Sequence, residues 1–365
     1  MTSIGDRVLQ ALERVRPRPM QRELAERIGM TPDAFSRALH GQRQFSAIEL
    51  AQVAEEISAD VYWLITGQQD PNRLSIAARH YFDHATMQRT VPGRAGDEQV
   101  LGDIALAYRQ AYPDPGNQRN NPEWPTSAAA MRESLGPDFV GPFEDRIEQQ
   151  LDIDVVHIAE LSTAYSIRTG GRSVIAIPAT GNWFRENWDL AHELGHMAMG
   201  HHDDGISQHK SDQHEAAANG FAAELLLPAA DLKGVRWHSI SDEDLAWLVW
   251  TWGVSTDALC NRLRALFGDV PDVVTRWAGY STQRLLRYHL SIESELDEIT
   301  GRMDAAAQRR FPRSLQEAHL ERVASGAIGR ATLAWMLGID AAALEVDSPD
   351  VPEGDADELA AALGL

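Results

Sequence analysis

The sequence predicts a mainly α-helical chain with a small antiparallel β-sheet, and three observations carry that expectation. Apolar residues recur at helical spacing over most of the length. Strand-like runs are confined to residues 153 to 178, and clusters of Pro, Gly and acidic residues cut the pattern into segments.

A chain of 365 residues, 44% of them apolar, is long enough for two or three packed domains. The single cysteine, Cys260, excludes an internal disulfide and a thiolate metal site, so any metal must rest on His and carboxylate. The N-terminal MTSIGDRVLQALERVRPRP lacks the apolar core and cleavage site of a signal peptide, and no apolar run approaches the length of a membrane span. The expectation is a cytoplasmic protein without a membrane partner. A formal charge of −21 argues against nucleic-acid binding by the whole surface. Residues 1 to 45, however, carry eight Lys/Arg against five Asp/Glu, a balance that suits DNA.

Residues 4 to 66 read as short helices. Ile4, Val8, Leu12 and Val15 share one face, Leu24, Ala25 and Ile28 begin another, and Ile48, Leu50, Ala51, Val53, Ala54 and Ile57 repeat the pattern. Gly67 and the polar run to Pro71 close this first domain, residues 1–68. Residues 69–150 alternate helical stretches (Leu74 to Met87, Glu98 to Tyr112) with Pro- and Gly-rich loops and read as a connecting region. In residues 151–268, Ile153 to Ile158, Tyr165 to Arg168 and Ser173 to Pro178 read as strands, with a turn at Thr169, Gly170 and Gly171 joining the last two. Helical sequence resumes near Arg185 and continues through a C-terminal region, 269–365, whose acidic tail from Val346 reads as loose.

A twelve-residue pattern occurs three times: LAERIGMTPDAF (24 to 35), LVWTWGVSTDAL (248 to 259) and LAWMLGIDAAAL (333 to 344). Each has an apolar helix end, a Gly at a turn, an apolar residue and then Ser, Thr or Asp as a helix N-cap. That is the local chemistry of two helices joined at a sharp angle.

The run WDLAHELGHMAMGHH holds His192, Glu193 and His196 in the H-E-x-x-H arrangement. Residues four apart lie on one face of a helix, so both imidazoles can reach a single tetrahedral zinc. Glu193, next to the first of them, is placed to take a proton from an attacking water and pass it to a leaving amine. A third ligand is needed. HEAAANGFAAELLLP offers Glu215, at the head of a helix whose apolar face runs through Ala218, Ala222, Leu225 and Leu226. The alternative for Glu215 is a solvated residue favoured by the helix dipole. His201, His202, His209 and His214 are rival ligands or supporting groups, although their loop setting reads mostly as solvent-exposed. Tyr165, His201, His202 and His214 are candidates for the proton donor or oxyanion stabiliser.

The stretch RENWDLAHELGHMAMGHH followed by EAAANGFAAELLLP resembles the ImmA/IrrE-type metallopeptidases, over roughly residues 150 to 265. SDEDLAWLVWTWGVSTDALCNRLRALFG resembles the segment after the catalytic core in that family. The resemblance implies a zincin-like α+β domain, with His192, His196 and Glu215 as ligands, Glu193 as general base, and Zn2+ as cofactor. Manganese is the alternative, because His and Glu ligands select weakly. It also implies a selective protease that cuts a repressor partner and so induces mobile-element or DNA-damage genes.

MQRELAERIGMTPDAFSRALHG resembles the Xre or lambda-repressor type of helix-turn-helix. Gln21 would open the first helix, Ala25 would lie at the crossing, Gly29 would make the turn and Phe35 would fill the core. Thr31, Asp33, Ser36 and Arg37 would face bases or phosphates, with Gln21 and Arg43 at the flanking backbone. Arg37 could read guanine, whereas Asp33 repels phosphate unless it accepts from a cytosine amine. The full expectation is an all-α helix-turn-helix domain that binds a DNA operator, a zincin-like domain and a helical C-terminal region. It describes a DNA-associated zinc metalloendopeptidase that cleaves a regulatory protein, and it admits a homodimer. The alternative is a transcription factor whose metal site is a sensor or a structural element.

Overall fold

The computed structural model describes residues 3–15, 19–57, 59–68, 75–78, 81–83, 88–90, 94–113, 124–201, 208–290 and 297–346. The acidic tail beyond Val346 and His202 lie outside these residues, as does the side chain of His209. The chain divides into two compact units, Met1–Arg73 and Leu74–Leu365.

The first unit consists of α1 (Ile4–Arg14), α2 (Gln21–Arg27), α3 (Pro32–Leu39), α4 (Ala47–Glu56) and α5 (Val61–Thr66). Helices this short are marginal alone and need caps and packing. Ser3 and Asp6 form a reciprocal capping box on α1, and Ser46 and Glu49 form another on α4. Gly29 turns the chain between α2 and α3 at φ +70°, and Thr31 then caps α3 by accepting from the Ala34 N–H. Val8, Leu12, Leu24, Phe35, Leu39, Val53 and Leu64 make the core, with Phe45 edge-on to Phe35 at 6.0 Å.

The second unit is a sheet between two helical layers. Its first elements are β1 (Ser75–Ala78), the separate antiparallel pair β2 (Tyr81–Asp83) and β3 (Gln88–Thr90), and α6 (Arg94–Ala111). Then come α7 (Ala128–Leu135), α8 (Phe143–Leu151), β4 (Ile153–His157), β5 (Tyr165–Thr169), β6 (Arg172–Ile177), α9 (Trp183–Ala198) and α10 (Gln208–Leu226). The rest is helical: α11 (Ala229–Gly234), α12 (Asp242–Trp252), α13 (Thr256–Phe267), α14 (Asp272–Ala278), α15 (Thr282–His289), α16 (Glu298–Ala306), α17 (Arg313–Ala324) and α18 (Ala331–Leu337).

The main sheet runs β1-β5-β6-β4. Gly170 and Gly171, both at positive φ, close the β5–β6 hairpin in the kind of tight turn that matches strand twist. The sheet is mixed, whereas an antiparallel one is expected from sequence, because β4 lies parallel to β6, Ile153 opposite Ser173. The reason is visible in β4 itself. Ile153 and Val155 face the core formed with α8 and α9, while Val156 and the following Ile158 face the core formed with α6 and α17. A strand apolar on both faces belongs inside a covered sheet, where parallel pairing is at home.

Two further expectations are corrected. Residues 75–78 and 81–83, read from sequence as helical, form β1 and β2, and the rest of the stretch 74 to 87 lies outside the described residues; β1 takes the open edge of β5, with Ile76 opposite Ile167. α7 and α8, from the stretch read as connecting, join the same core as α9 and α10. The third copy of the repeated pattern ends α18 at Gly338 in a left-handed cap, but a turn follows where a second helix is expected. There Asp340 accepts from the Ala342 N–H.

The second copy is complete, and it braces α9. Gly253, at φ +59°, turns from α12 to α13, and its carbonyl accepts from Asn187 Nδ2 at 2.9 Å. A Cβ there would fall 2.2 Å from Val140 Cγ1 and 2.4 Å from Asn187 Nδ2. Left-handed strain of about 1–2 kcal/mol and overpacking of about 1–3 kcal/mol both oppose a side chain. Gly253→Ala is therefore expected to lower unfolding free energy by roughly 2–5 kcal/mol, read as an earlier urea midpoint at unchanged slope.

Candidate metal centre

α9 is the axis of the second unit, packed against α10, α16 and strands β5 and β6. Asn182 caps its start by accepting from the Arg185 N–H at 3.2 Å. Nearly every side chain along it is buried, including His192, Glu193 and His196. Gly195 allows α10 to come close. A Cβ at that position would lie 3.2 Å from Ala218 Cα and 3.2 Å from Phe221 Cβ.

This approach brings Glu215 to the two imidazoles. His192 Nε2 and His196 Nε2 are 3.1 Å apart, and Glu215 Oε2 and Oε1 lie 3.4 Å and 3.6 Å from them. Donors bound at zinc distances in a tetrahedron sit about 3.3 Å from one another, so the spacing fits. Glu215 lies well inside α10 and is buried, which removes the reading of a solvated first-turn residue.

Hydrogen bonds behind the imidazoles set their tautomers. His192 Nδ1 lies 3.2 Å from Asn219 Oδ1, an acceptor, so Nδ1 carries the proton and Nε2 turns a lone pair to the centre. His196 Nδ1 lies 2.9 Å from His201 Nδ1, and with Nδ1 as donor its Nε2 also presents a lone pair. Two lone pairs and a carboxylate converging in a buried space repel one another unless a cation or a proton sits between them. The donor set and its spacing thus suit a divalent metal.

Sequence reasoning misses Asn219, whereas His201 stands there among the candidate ligands or supporting groups. Asn219 follows Glu215 by one helical turn, a spacing that offers the only available signal. His201 is buried, and its ring stacks on His214 at 3.8 Å, so neither is the solvent-exposed loop histidine expected from sequence. Tyr165, a candidate proton donor, gives its hydroxyl hydrogen to Asp97 Oδ2 at 2.7 Å.

In the first unit, Gln21, Thr31, Asp33 and Arg37 are exposed, while Ser36 and Arg43 are half-buried. Asp33 and Arg37 pair at 3.3 Å across one turn of α3. Arg43 bonds Glu49 at 2.6 Å, which ties down its charge. Thr31 commits its oxygen to the helix cap.

A second titratable group lies further towards the start of α9. Burial, then the hydrogen bond and charge of Glu144, push the carboxyl of Glu186 up to about 10. Against the opposing effect of burial, His157, Glu186 and Arg310 hold Glu144 down at about 2. Glu186 keeps in the native state a proton that the unfolded chain releases near its ordinary value of 4.5. Native protein therefore binds more protons between that value and about 10, and stability falls as pH rises across the window. In chelator, the unfolding free energy is expected to drop by about 1 kcal/mol per pH unit between pH 6 and 8 through this group. Glu186→Gln should flatten that slope, as read by urea melts at both pH values.

The family described as IrrE N-terminal-like domain, Peptidase_M78, matches residues 148–264. No curated protein and no solved structure matches the chain. The matched span runs from the end of α8 into α13 and includes His192, Glu193, His196 and Glu215. Residues 148–264 are thus similar to the peptidase domain of the ImmA/IrrE type.

Proposed function

We propose that the chain is a zinc-dependent endopeptidase that regulates transcription by cutting a repressor or another regulatory protein, with its N-terminal unit reading DNA. The convergence of His192, His196 and Glu215 at zinc donor spacing, with Glu193 on the same helix, carries the reading. Zinc held there would supply Lewis acidity at the scissile carbonyl and at the attacking water. Glu193 takes the proton from that water and delivers it to the departing amine. Asn219 and His201 hold the two imidazoles in the tautomer that keeps Nε2 available. A metal sensor needs no such base, and closed coordination would serve it better.

Two features support the DNA reading. Positive charge exceeds negative over residues 1 to 45. The start of α3 is also exposed, with Arg37 beside it, and a helix presented in this way can enter a major groove. Among the described residues no helix is long and apolar enough to cross a membrane.

The test combines metal counting with proteolysis. The parent, Glu193→Gln and Glu215→Ala are purified, their metal content is measured, and each is incubated with the proteins encoded by neighbouring genes. The expected result is one site-specific cut by the parent alone, with metal retained in Glu193→Gln and lost from Glu215→Ala. A parent that binds no metal, or a cut that persists in Glu193→Gln, overturns the proposal.

A further inference from the structure

Glu144 from α8, His157 at the end of β4 and Glu186 near the start of α9 bring ligand atoms within 4.8 Å of one another. Glu186 precedes His192 by six residues, which turns it about 120° around α9 from that ligand. The group is therefore separate from the candidate zinc centre.

His157 is only 1% exposed, yet neither of its ring nitrogens has a hydrogen-bond partner. The carboxylate oxygen facing Nδ1, Glu186 Oε2, is 3.9 Å away. On the other side of the ring, Nε2 lies 3.1 Å from Glu144 Oε1. Buried polar atoms are almost always satisfied, so an orphaned ring nitrogen aimed at a carboxylate calls for a missing partner. Only one ring nitrogen can bind a given ion, and the 3.1 Å between Nε2 and Glu144 Oε1 is close to the roughly 3.3 Å expected between donors on one zinc.

Charge points the same way. Arg310 is set against Glu144 and Glu148 at 2.8 Å each and against Asp145 at 3.7 Å. Three carboxylates therefore share one guanidinium. Arg310 Nε engages Glu144 Oε2, so Oε1 remains directed at His157. A surface pocket whose lining includes Glu144, Asp145, Trp183, Glu186, Asn187 and Arg302 opens beside the two glutamates of the cluster.

We propose that Glu144, His157 and Glu186 form a second divalent-cation site, taking zinc or manganese, that ties α8 and β4 to the first turns of α9. One nitrogen and two carboxylate donors suit these ions better than calcium or magnesium. Because α9 also carries His192, Glu193 and His196, the second site clamps the helix on which the first is built.

The test removes the first site and counts what remains. Full-length chain carrying His192→Ala and Glu215→Ala is stripped with chelator and titrated with Zn2+ and, separately, Mn2+, with bound metal and melting temperature measured. The expected result is one ion per chain and a melting temperature that rises with cation concentration. In that background Glu186→Gln should weaken the apparent Kd at least tenfold, and His157→Gln should act similarly. Should His157→Gln not melt cooperatively, the near-isosteric Glu186→Gln decides alone. The parent should hold two ions.

No ion and no thermal shift in the His192→Ala, Glu215→Ala chain overturns the proposal, as does binding that Glu186→Gln leaves unchanged. The inference does not depend on peptidase activity. Failure of the zinc-centre reading would show instead as a parent whose metal is insensitive to His192→Ala.

Discussion

Glu193→Gln is expected to slow peptide-bond cleavage by about 10²–10⁴-fold while leaving metal content and melting temperature close to those of the parent. Glu193 is fully buried on α9, so an amide of the same shape fits where the carboxylate was. It cannot, however, take a proton from water. Loss of a base acts on the chemical step, so the effect should appear in single-turnover rate at saturating enzyme, with substrate affinity little changed. The control is built into the helix: His192 and His196 keep their spacing and their partners Asn219 and His201. A variant that loses both metal and activity would show that Glu193 holds the site together, and the assignment as base would fail. A variant that cuts at the parental rate would remove the enzymatic reading of the motif.

This expectation draws on the part of the molecule most legible in the sequence. H-E-x-x-H on a helix fixes two imidazoles on one face by geometry alone, and the apolar run around it requires burial. Glu215 was legible as a candidate because its helix is apolar around it. That it meets the histidines depends on how closely α10 lies against α9, a tertiary quantity that no local pattern encodes. The hairpin of β5 and β6 was legible from Gly170 and Gly171. The parallel placement of β4 was not, because a short run apolar in both phases specifies burial without specifying a neighbour. The strand β1 fails for a related reason: it is defined by the free edge of β5 rather than by its own propensity. The Glu144, His157 and Glu186 cluster joins three elements distant in sequence, and a charged residue inside a helical pattern reads by default as solvated. Only the spacing of Glu186, two turns before Glu193 and on the same helix face, hinted otherwise.

The same dependence on α9–α10 distance leads to the second large effect. Gly195→Leu is expected to abolish stoichiometric metal binding although every ligand and the base remain in place. At Gly195 even a single added carbon would lie 3.2 Å from Ala218 Cα and Phe221 Cβ and 3.3 Å from the Ala218 carbonyl oxygen. Backbone cannot rotate away as a side chain can, so an isobutyl group must push α10 outward. Glu215 sits one turn before Ala218 on that helix and moves with it. Its oxygens now lie 3.4 Å and 3.6 Å from the imidazoles. A shift of about 1 Å would take them outside the donor spacing of a tetrahedral zinc site, where bond lengths are held within about 0.2 Å. The stability cost is expected to be smaller, about 1–3 kcal/mol, because the apolar contacts of Ala222, Leu225 and Leu226 can follow the helix. The informative comparison is therefore metal content at a temperature where the variant still gives a cooperative melt. Gly195→Ala should show the same effect in weaker form, with apparent affinity reduced and binding retained. If Gly195→Leu folds and holds one zinc per chain with parental affinity, close packing of α10 on α9 does not set the ligand geometry, and the role given to this glycine is wrong. If metal falls in step with the size of the side chain at 195, the small residue inside the motif is what lets a carboxylate from a second helix complete the site.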